Sequence, residues 1–503
     1  MTYSNQTQVP SIARLARISK VPLLALALLP PIWYALPSAV EPNPSSSWVH
    51  FANATGPLIL GLLCALITYR TVKVWRHSIL TPYAGFLFQC VVYLSLGPLF
   101  FVFGGDFHYQ VTDLGVFRFD AYELLQTNLL NAIGISGYVF GIFLYARGEV
   151  KSDLPTSVLH RRSINPQVLM KVFLIVGGIF TLFVSLPQAY GQSTFQLPAI
   201  ITSLSSLFLG GLSILGYLYA KNPARWRLLF WALLIPNTII SVLSFYKTEM
   251  VLSLLLPVLG MFLGKPNIRR LMIWLAVIII LFVMMVPLVS YGREIIMHES
   301  GHFQTASLGR RLEIVTEYIS GHDRDLHGKS AEQSAWSRLA YVGPQAFLMR
   351  KHDGGHEAVT LDNVVLRLLP RLLYPEKPNY QSYGNMVYQM ATKNDLDNNV
   401  AGTVFADAYW HWGWLGTFAC GLCVGVLFCF FTKKTLGWLL ASNFVYLPLV
   451  LFLWENSING VGKYMYNGII VPVIYYFLGV SVLNLFMALY RRRSSPPLLA
   501  KPR

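Results

Sequence analysis

Charge is what this chain has least of: Asp, Glu, Lys and Arg supply 12% of its 503 residues, against 54% hydrophobic. That scarcity excludes an ordinary water-soluble domain and a disordered chain, both of which need far more charge. Cysteine is scarce too. The five residues, Cys64, Cys90, Cys420, Cys423 and Cys429, all fall in apolar stretches, which excludes a disulfide-stapled secreted scaffold. Cys420-Gly-Leu-Cys423 has the spacing of a metal or redox pair, but it lies within an apolar run and reads as packing. A small-residue cleavage site is missing after Arg14, Arg17 and Lys20, so the apolar run that follows reads as an uncleaved first span.

Long apolar runs are what the chain has in place of charge, and its mean hydropathy is +0.50. Stretches near 20 residues occur at about 21–40, 52–69, 82–103, 125–146, 169–189, 198–220, 228–246, 250–264, 271–290, 403–432, 438–455 and 466–489. They predict an all-α integral membrane protein of about 12 transmembrane helices. The organisation expected is a cytoplasmic amino terminus (1–20), a first bundle of about nine spans (21–290), a polar loop (291–402), three last spans (403–489) and a basic tail (490–503).

Orientation follows from the cations. Placing the amino terminus inside puts 24 Lys/Arg in the cytoplasmic segments and only Arg118, Lys247 and Lys463 in the short opposite loops. Both termini are then cytoplasmic and the 291–402 loop is extracytoplasmic. The same distribution explains the formal charge of +16 without nucleic acid. Spans seven and eight are joined by Tyr246-Lys247-Thr248-Glu249, a tight turn that either exposes its charges or draws Lys247 and Glu249 below the membrane surface.

The loop from Tyr291 to Gly402 holds 12 of the 39 Lys/Arg and 13 of the 23 Asp/Glu, so much of the polar chemistry is in one place. Leu308, Leu312, Val315 and Ile319 fall on one helical stripe before Gly321. Ser334 starts a second expected helix through Met349, and a third covers Leu361 to Leu369 before Pro370. Short amphipathic helices of this kind suit a lid over the bundle. Arg293, Arg310, Arg311, Arg338, Arg367, Arg371 and Lys377 recur through it. Guanidinium forks bind phosphate bidentately, so the set suits a pyrophosphate headgroup; pairing with the loop's own acids is the competing use.

Residues 369–384 combine three prolines with Tyr374, Tyr380 and Tyr383, a stiff path whose rings and hydroxyls suit sugar contacts. Asp407-Ala-Tyr-Trp-His411 then opens the tenth span. Its aromatics suit an interfacial belt, while Asp407 and His411, four apart, share a helical face and form a candidate general base. Glu455 is a third candidate. His298-Glu299-Ser-Gly-His302 matches the zinc-peptidase pattern in which two histidines bind metal and Glu acts as base. Gly301 interrupts the helix that pattern needs, and no third ligand is identifiable.

The arrangement resembles the O-antigen polymerases (Wzy-type) and related oligosaccharide repeat-unit polymerases. The resemblance covers the whole architecture, and locally Leu369-Pro-Arg, Tyr374-Pro-Glu-Lys-Pro378, Gly384 and Gly402-Thr-Val-Phe-Ala-Asp407 through Trp412-Gly-Trp-Leu-Gly416. It implies a GT-C-like bundle with a large extracytoplasmic helical loop in the bacterial inner membrane. It further implies transfer of a growing glycan from undecaprenyl pyrophosphate to a hydroxyl of the next lipid-linked repeat unit. Arg293, Arg310, Arg338, Arg367 and Arg371 would engage the pyrophosphate, with Lys377 and Lys247 as further cations. Asp407, His411 or Glu455 would take the acceptor proton. No metal or other cofactor is implied, and the partners would be the lipid-linked oligosaccharide, membrane lipids, a chain-length regulator and a flippase. Arg310 with Gly321 fits a spacing found in some members; Ser244-Phe-Tyr-Lys247 departs from the Ser/Gly-Arg element of others.

Other readings make different demands. A GT-C sugar transferase usually carries paired acids in its first outer loop, where this chain has only Glu41. An O-antigen ligase has almost the same architecture. A transporter or flippase usually has charges in mid-span or internal repeats, whereas Gln89, Asn131 and Asn237 are neutral and no repeat is clear. A membrane zinc peptidase would use His298, Glu299 and His302.

Overall fold

The computed structural model describes residues 11–40, 46–103, 117–149, 165–189, 203–300, 306–320, 341–360, 383–393 and 402–459, with isolated positions at 374, 376 and between 473 and 485. All regular structure among the described residues is helical. The cause is the solvent: hydrocarbon offers a backbone amide no water, so each segment must close its own hydrogen bonds. Eight of these helices are long and apolar enough to cross a bilayer, which makes this a multi-pass membrane protein.

A short α1 (Ile12–Ile18) precedes α2 (Lys20–Val40) and α3 (Ser46–Val74). The span α4 (Pro82–Phe103) follows, with π geometry over Val92–Leu96. Thr81 caps it by accepting from Ala84 N, and Pro82 takes the first position, where no N–H is needed. Next come α5 (Ala121–Glu149), α6 (Pro166–Ser185), α7 (Ser206–Lys221), α8 (Pro223–Leu243), α9 (Lys247–Gly264) and α10 (Ile268–Ser300). The polar loop contributes α11 (Leu308–Ser320), α12 (Val342–Asp353) and α13 (Tyr383–Thr392). The last two are α14 (Val404–Leu440) and α15 (Leu447–Asn459).

Nearly all the expected spans coincide with helices. Those at 250–264 and 438–455 are the shorter apolar helices Glu249–Gly264 and Phe444–Ile458. The described part of 198–220 is α7, and most of 466–489 lies outside the described residues.

Two buried apolar cores organise the helices. One joins α1–α5 to α12, α13 and α14; the other joins α6–α10. Helix α15 serves both, giving Leu449 and Leu453 to the first and Leu451 and Trp454 to the second. Within the first core, α5 and α14 approach backbone to backbone through Gly134, Gly137 and Gly141 against Gly421 and Gly425. A Cβ at Gly137 would overlap Phe418 O, and one at Gly421 would overlap Gly134 O. Lipid tails are as apolar as leucine, so association of such helices depends on close packing of small residues.

The loop helices are not all a lid. Helix α11 forms where its apolar stripe places it. In α12, however, Val342 through Met349 are buried, and Phe347 and Leu348 join the same core as Leu130, Ile135 and Phe405. Helix α13, which the proline- and tyrosine-rich stretch does not announce, buries Tyr383, Val387 and Tyr388 there too. The expectation of helices lying over the bundle therefore needs correction for the second of them, while the third, expected over 361–369, lies outside the described residues. Helix α12 also brings Gln345 to Asn131, a buried polar position on α5 that needs a polar partner, whereas α13 joins that core with apolar and aromatic side chains.

Candidate functional site

Helix α14 is not one straight span. Trp412 (φ −140°, ψ 17°) and Gly413 (φ 61°, ψ −150°) break it, and residues 404–411 fold back along residues 414–440. Thr417 Oγ1 donates to Phe405 O at 3.3 Å, and Cys420 Sγ lies 4.0 Å from Val404 O. Residues 12 and 16 apart could not meet along a continuous helix, which rises about 1.5 Å per residue. Glycine permits the turn because φ near +60° is strained for other residues. The expected tenth span, 403–432, is thus a helical hairpin whose first limb starts inside the bundle.

That buried start is a polar knot. Thr403 Oγ1 accepts from Ala406 N (3.2 Å), capping the limb, and from Gln345 Nε2 (2.7 Å). Gln345 and Asn131 exchange amide hydrogen bonds of 2.8 and 3.3 Å. Nearer the Ala121 end of α5, Asn128 Nδ2 donates to Asn53 Oδ1 at 3.1 Å, and Asn53 Nδ2 to Ala121 O at 2.8 Å. Asn131 is ten residues into α5, roughly 15 Å along the helix, so α12 carries an amide deep into the bundle.

Residues 350–360 clamp the limb from one side. Arg350 pairs with Glu123 and donates to Arg118 O at 3.1 Å. His352 Nδ1 lies 3.0 Å from Trp410 O; a carbonyl only accepts, so this nitrogen carries the proton. Tyr409 donates its hydroxyl to Asp353 Oδ1 (3.0 Å), and Trp410 Nε1 donates to His356 O (3.0 Å).

At the centre of the clamp is Thr360, fully buried like Asp407. Thr360 Oγ1 donates to Asp407 Oδ1 at 2.6 Å and lies 2.5 Å from His411 Nε2. The directions follow from the proton count. With Thr360 donating to Asp407, its single hydroxyl proton is committed, so Nε2 is the nitrogen that donates to Thr360. The neutral imidazole then has its lone pair on Nδ1. His411 is half-buried beside Trp412, its ring centroid 5.1 Å away, at the turn of the hairpin. The expectation that Asp407 and His411 share a face is met, with a hydroxyl between them that the spacing does not reveal.

Other expected site residues are dispersed. Glu455 is half-buried on α15, next to Trp454, whose Nε1 donates to Ile79 O (2.9 Å), and Tyr83 N in turn donates to Thr432 Oγ1 (3.0 Å). Glu455 therefore belongs toward the Lys433 end, roughly 30 Å of helix from the hairpin turn. Arg293 is half-buried on α10, facing Tyr246. Tyr374 is half-buried, and Tyr383 is buried with its hydroxyl close to Gly402. Lys247 begins α9, but its side chain lies outside the description, as do Arg338, Arg367, Arg371, Lys377, Tyr380 and His302.

Arg310 is held by three carboxylates: Glu299 at 2.6 Å, Glu317 at 2.8 Å and Glu313 at 3.2 Å. These hydrogen bonds, to Glu299 first and then Glu317, raise its pKa further, and the bond to Arg310 lowers that of Glu299. A guanidinium surrounded by three acids is neutralised from within, which disfavours an added phosphate. The same bond engages the glutamate of the His298-Glu299 motif. Among the described residues no group of three or more His, Cys, Asp or Glu is placed to hold a metal ion.

The neighbouring Arg311 does something different. It is 1% exposed, and its Nη1 donates to Leu243 O (3.1 Å) and Ser244 O (2.9 Å), at the end of α8. It also lies over the Phe245 ring, at 5.6 Å. A cation on the last carbonyls of a helix meets the negative end of its dipole, so Arg311 braces the α8–α9 turn.

Thr360, Gln345 and His352 are the residues sequence reasoning missed, and Arg311, expected among the phosphate-binding cations, braces a helix end instead. Each acts through a partner 47 or more residues away, and only Asn131, polar within an apolar run, gave any signal.

Comparison with curated proteins and with solved structures gives no match. One family does match, over residues 86–491, from within α4 to beyond α15 and including the whole polar loop. The chain belongs to that family, described as Domain of unknown function (DUF8712).

Proposed function

We propose that this protein polymerises lipid-linked oligosaccharide repeat units at the outer face of a bacterial inner membrane. The reading includes about 12 spans, cytoplasmic termini and a GT-C-like bundle. The observation that carries it is the His411–Thr360–Asp407 chain of hydrogen bonds at the turn of a hairpin within an apolar bundle. In the reaction, an acceptor sugar hydroxyl attacks the anomeric carbon of the donor glycan. The new C–O bond forms as the bond to undecaprenyl pyrophosphate breaks. His411 Nδ1 takes the hydroxyl proton, and the imidazolium is stabilised through Thr360 by the buried Asp407 carboxylate. Charge developing on the leaving pyrophosphate needs fixed cations. Arg367 and Arg371, seven and eleven residues beyond Thr360, are the candidates. Tyr374 and Tyr380 would contact sugar, and Tyr383, buried in the core, would not. A flippase would supply the repeat units and a chain-length regulator would act on the product.

Deleting the gene should leave surface glycan capped at a single repeat unit; an unchanged long-chain ladder sinks the reading. A ligase would instead leave full-length glycan on the lipid carrier. One observation favours a transporter: a broken helix whose first limb starts buried among amides, as substrate sites of transporters often do. Under that reading, deletion would trap repeat units on the cytoplasmic face.

A further inference from the structure

At the opposite end of the bundle a cavity of about 150 Å³ opens between α7, α9 and α10. Its polar rim carries Lys265, Asn267 and Arg270, and Tyr219, Leu271 and Trp274 help to form its wall. No acid lines it. The surroundings have the same sign: segments 221–227 and 265–274 together hold six Lys/Arg and no Asp/Glu. Some of those cations are already turned onto aromatic rings, Lys221 over Tyr217 at 4.7 Å and Arg225 over Trp226 at 5.1 Å. Lys265 and Arg270 are instead exposed at the mouth of the cavity.

Two cations and an amide above an apolar, aromatic slot match one kind of molecule, an anion with a hydrocarbon tail. A soluble anion has no use for the slot, and a zwitterionic lipid brings its own cation to a site that has two. We propose that this cavity is a binding site for an anionic phospholipid, whose phosphate lies between Lys265 and Arg270 and whose acyl chain runs along Leu271 and Trp274. A lipid held there would add to the direct packing of α7 on α9 at this end, where Gly264 lies against Tyr217 O. In the orientation proposed above, this end faces the cytoplasm, where anionic lipids bind basic pockets between helices.

The test uses the full-length protein in detergent, titrated separately with phosphatidylglycerol and phosphatidylcholine, with bound lipid counted by native mass spectrometry. The wild type should retain phosphatidylglycerol in preference to phosphatidylcholine. Lys265→Ala/Arg270→Ala should weaken phosphatidylglycerol about thirtyfold, while Arg225→Ala/Arg227→Ala, equal in charge but outside the cavity, should change it less than about twofold. Lys265→Arg/Arg270→Lys should bind as the wild type does, which separates loss of charge from loss of fold. Equal retention of the two lipids, an unaffected cavity variant, or an equal loss in the charge-matched control would each overturn the site.

Discussion

Thr360 and Asp407, 47 residues apart, are joined by a hydrogen bond of 2.6 Å in which the threonine hydroxyl is donor. That direction leaves the same oxygen to accept from His411 Nε2. One buried hydroxyl therefore decides which imidazole nitrogen can take a proton. The arrangement predicts that Thr360→Val, nearly isosteric but unable to relay, lowers polymerisation about ten- to a hundredfold. Thr360→Ser should stay within a few-fold of wild type and Asp407→Asn should fall at least about a hundredfold. Initial rates of glycan extension in membranes, with protein level checked by immunoblot, measure all three. A Thr360→Val enzyme as active as wild type would remove the relay from the mechanism.

Gly413 is a conformational requirement. Its φ of 61° allows the hairpin turn, and a Cβ there would also come within 3.3 Å of His352 Nε2. Gly413→Ala should cost about 1–2 kcal/mol of stability, seen as a lower melting temperature in detergent. Gly437, around which a Cβ would meet nothing within 4 Å, is the control, and its alanine variant should melt like the wild type.

The α5–α14 contact predicts a steeper loss. Gly421 and Gly137 lie against the facing backbone rather than a side chain, so neighbours cannot rotate away from a larger residue. Gly421→Leu should destabilise by at least about 3 kcal/mol and yield little monodisperse protein on size exclusion. Gly437→Leu should not. Equal yields from the two variants would show that the helices are less tightly engaged than the distances imply.

Arg310 and Arg311 are adjacent and should respond by different amounts. Arg310→Ala removes an exposed ion cluster, and its cost at neutral pH should be below about 1 kcal/mol. Arg311→Ala strands the carbonyls of Leu243 and Ser244 and should cost about 1–3 kcal/mol. The pH dependence belongs to Arg310. Its hydrogen bond lowers the pKa of Glu299, so the contribution is present above the ordinary carboxylate pKa and lost as pH falls through the lowered one. The stability difference between wild type and Arg310→Ala should therefore shrink on acidification. Thermal melts of both proteins at neutral and acid pH give the comparison, and a difference that widens toward acid would contradict the cluster.

The chain by itself determined that it is helical and multi-pass, because transfer from water to hydrocarbon is a local property that a run of some twenty residues states without reference to the rest. It also placed Asp407 and His411 on one face, since a separation of four is a local geometric fact. Tertiary structure alone decided that residues 404–411 turn back at Gly413, that α12 descends to bring Gln345 to Asn131, and that Thr360 joins the acid to the imidazole. It alone also decided that Arg310 is occupied by Glu299, Glu313 and Glu317. The reason is the same in each case. Hydropathy measures preference for a phase, whereas the partner of a buried polar atom is chosen by which distant group reaches it first with the right geometry, and in a bilayer an unchosen partner costs too much to leave the choice open.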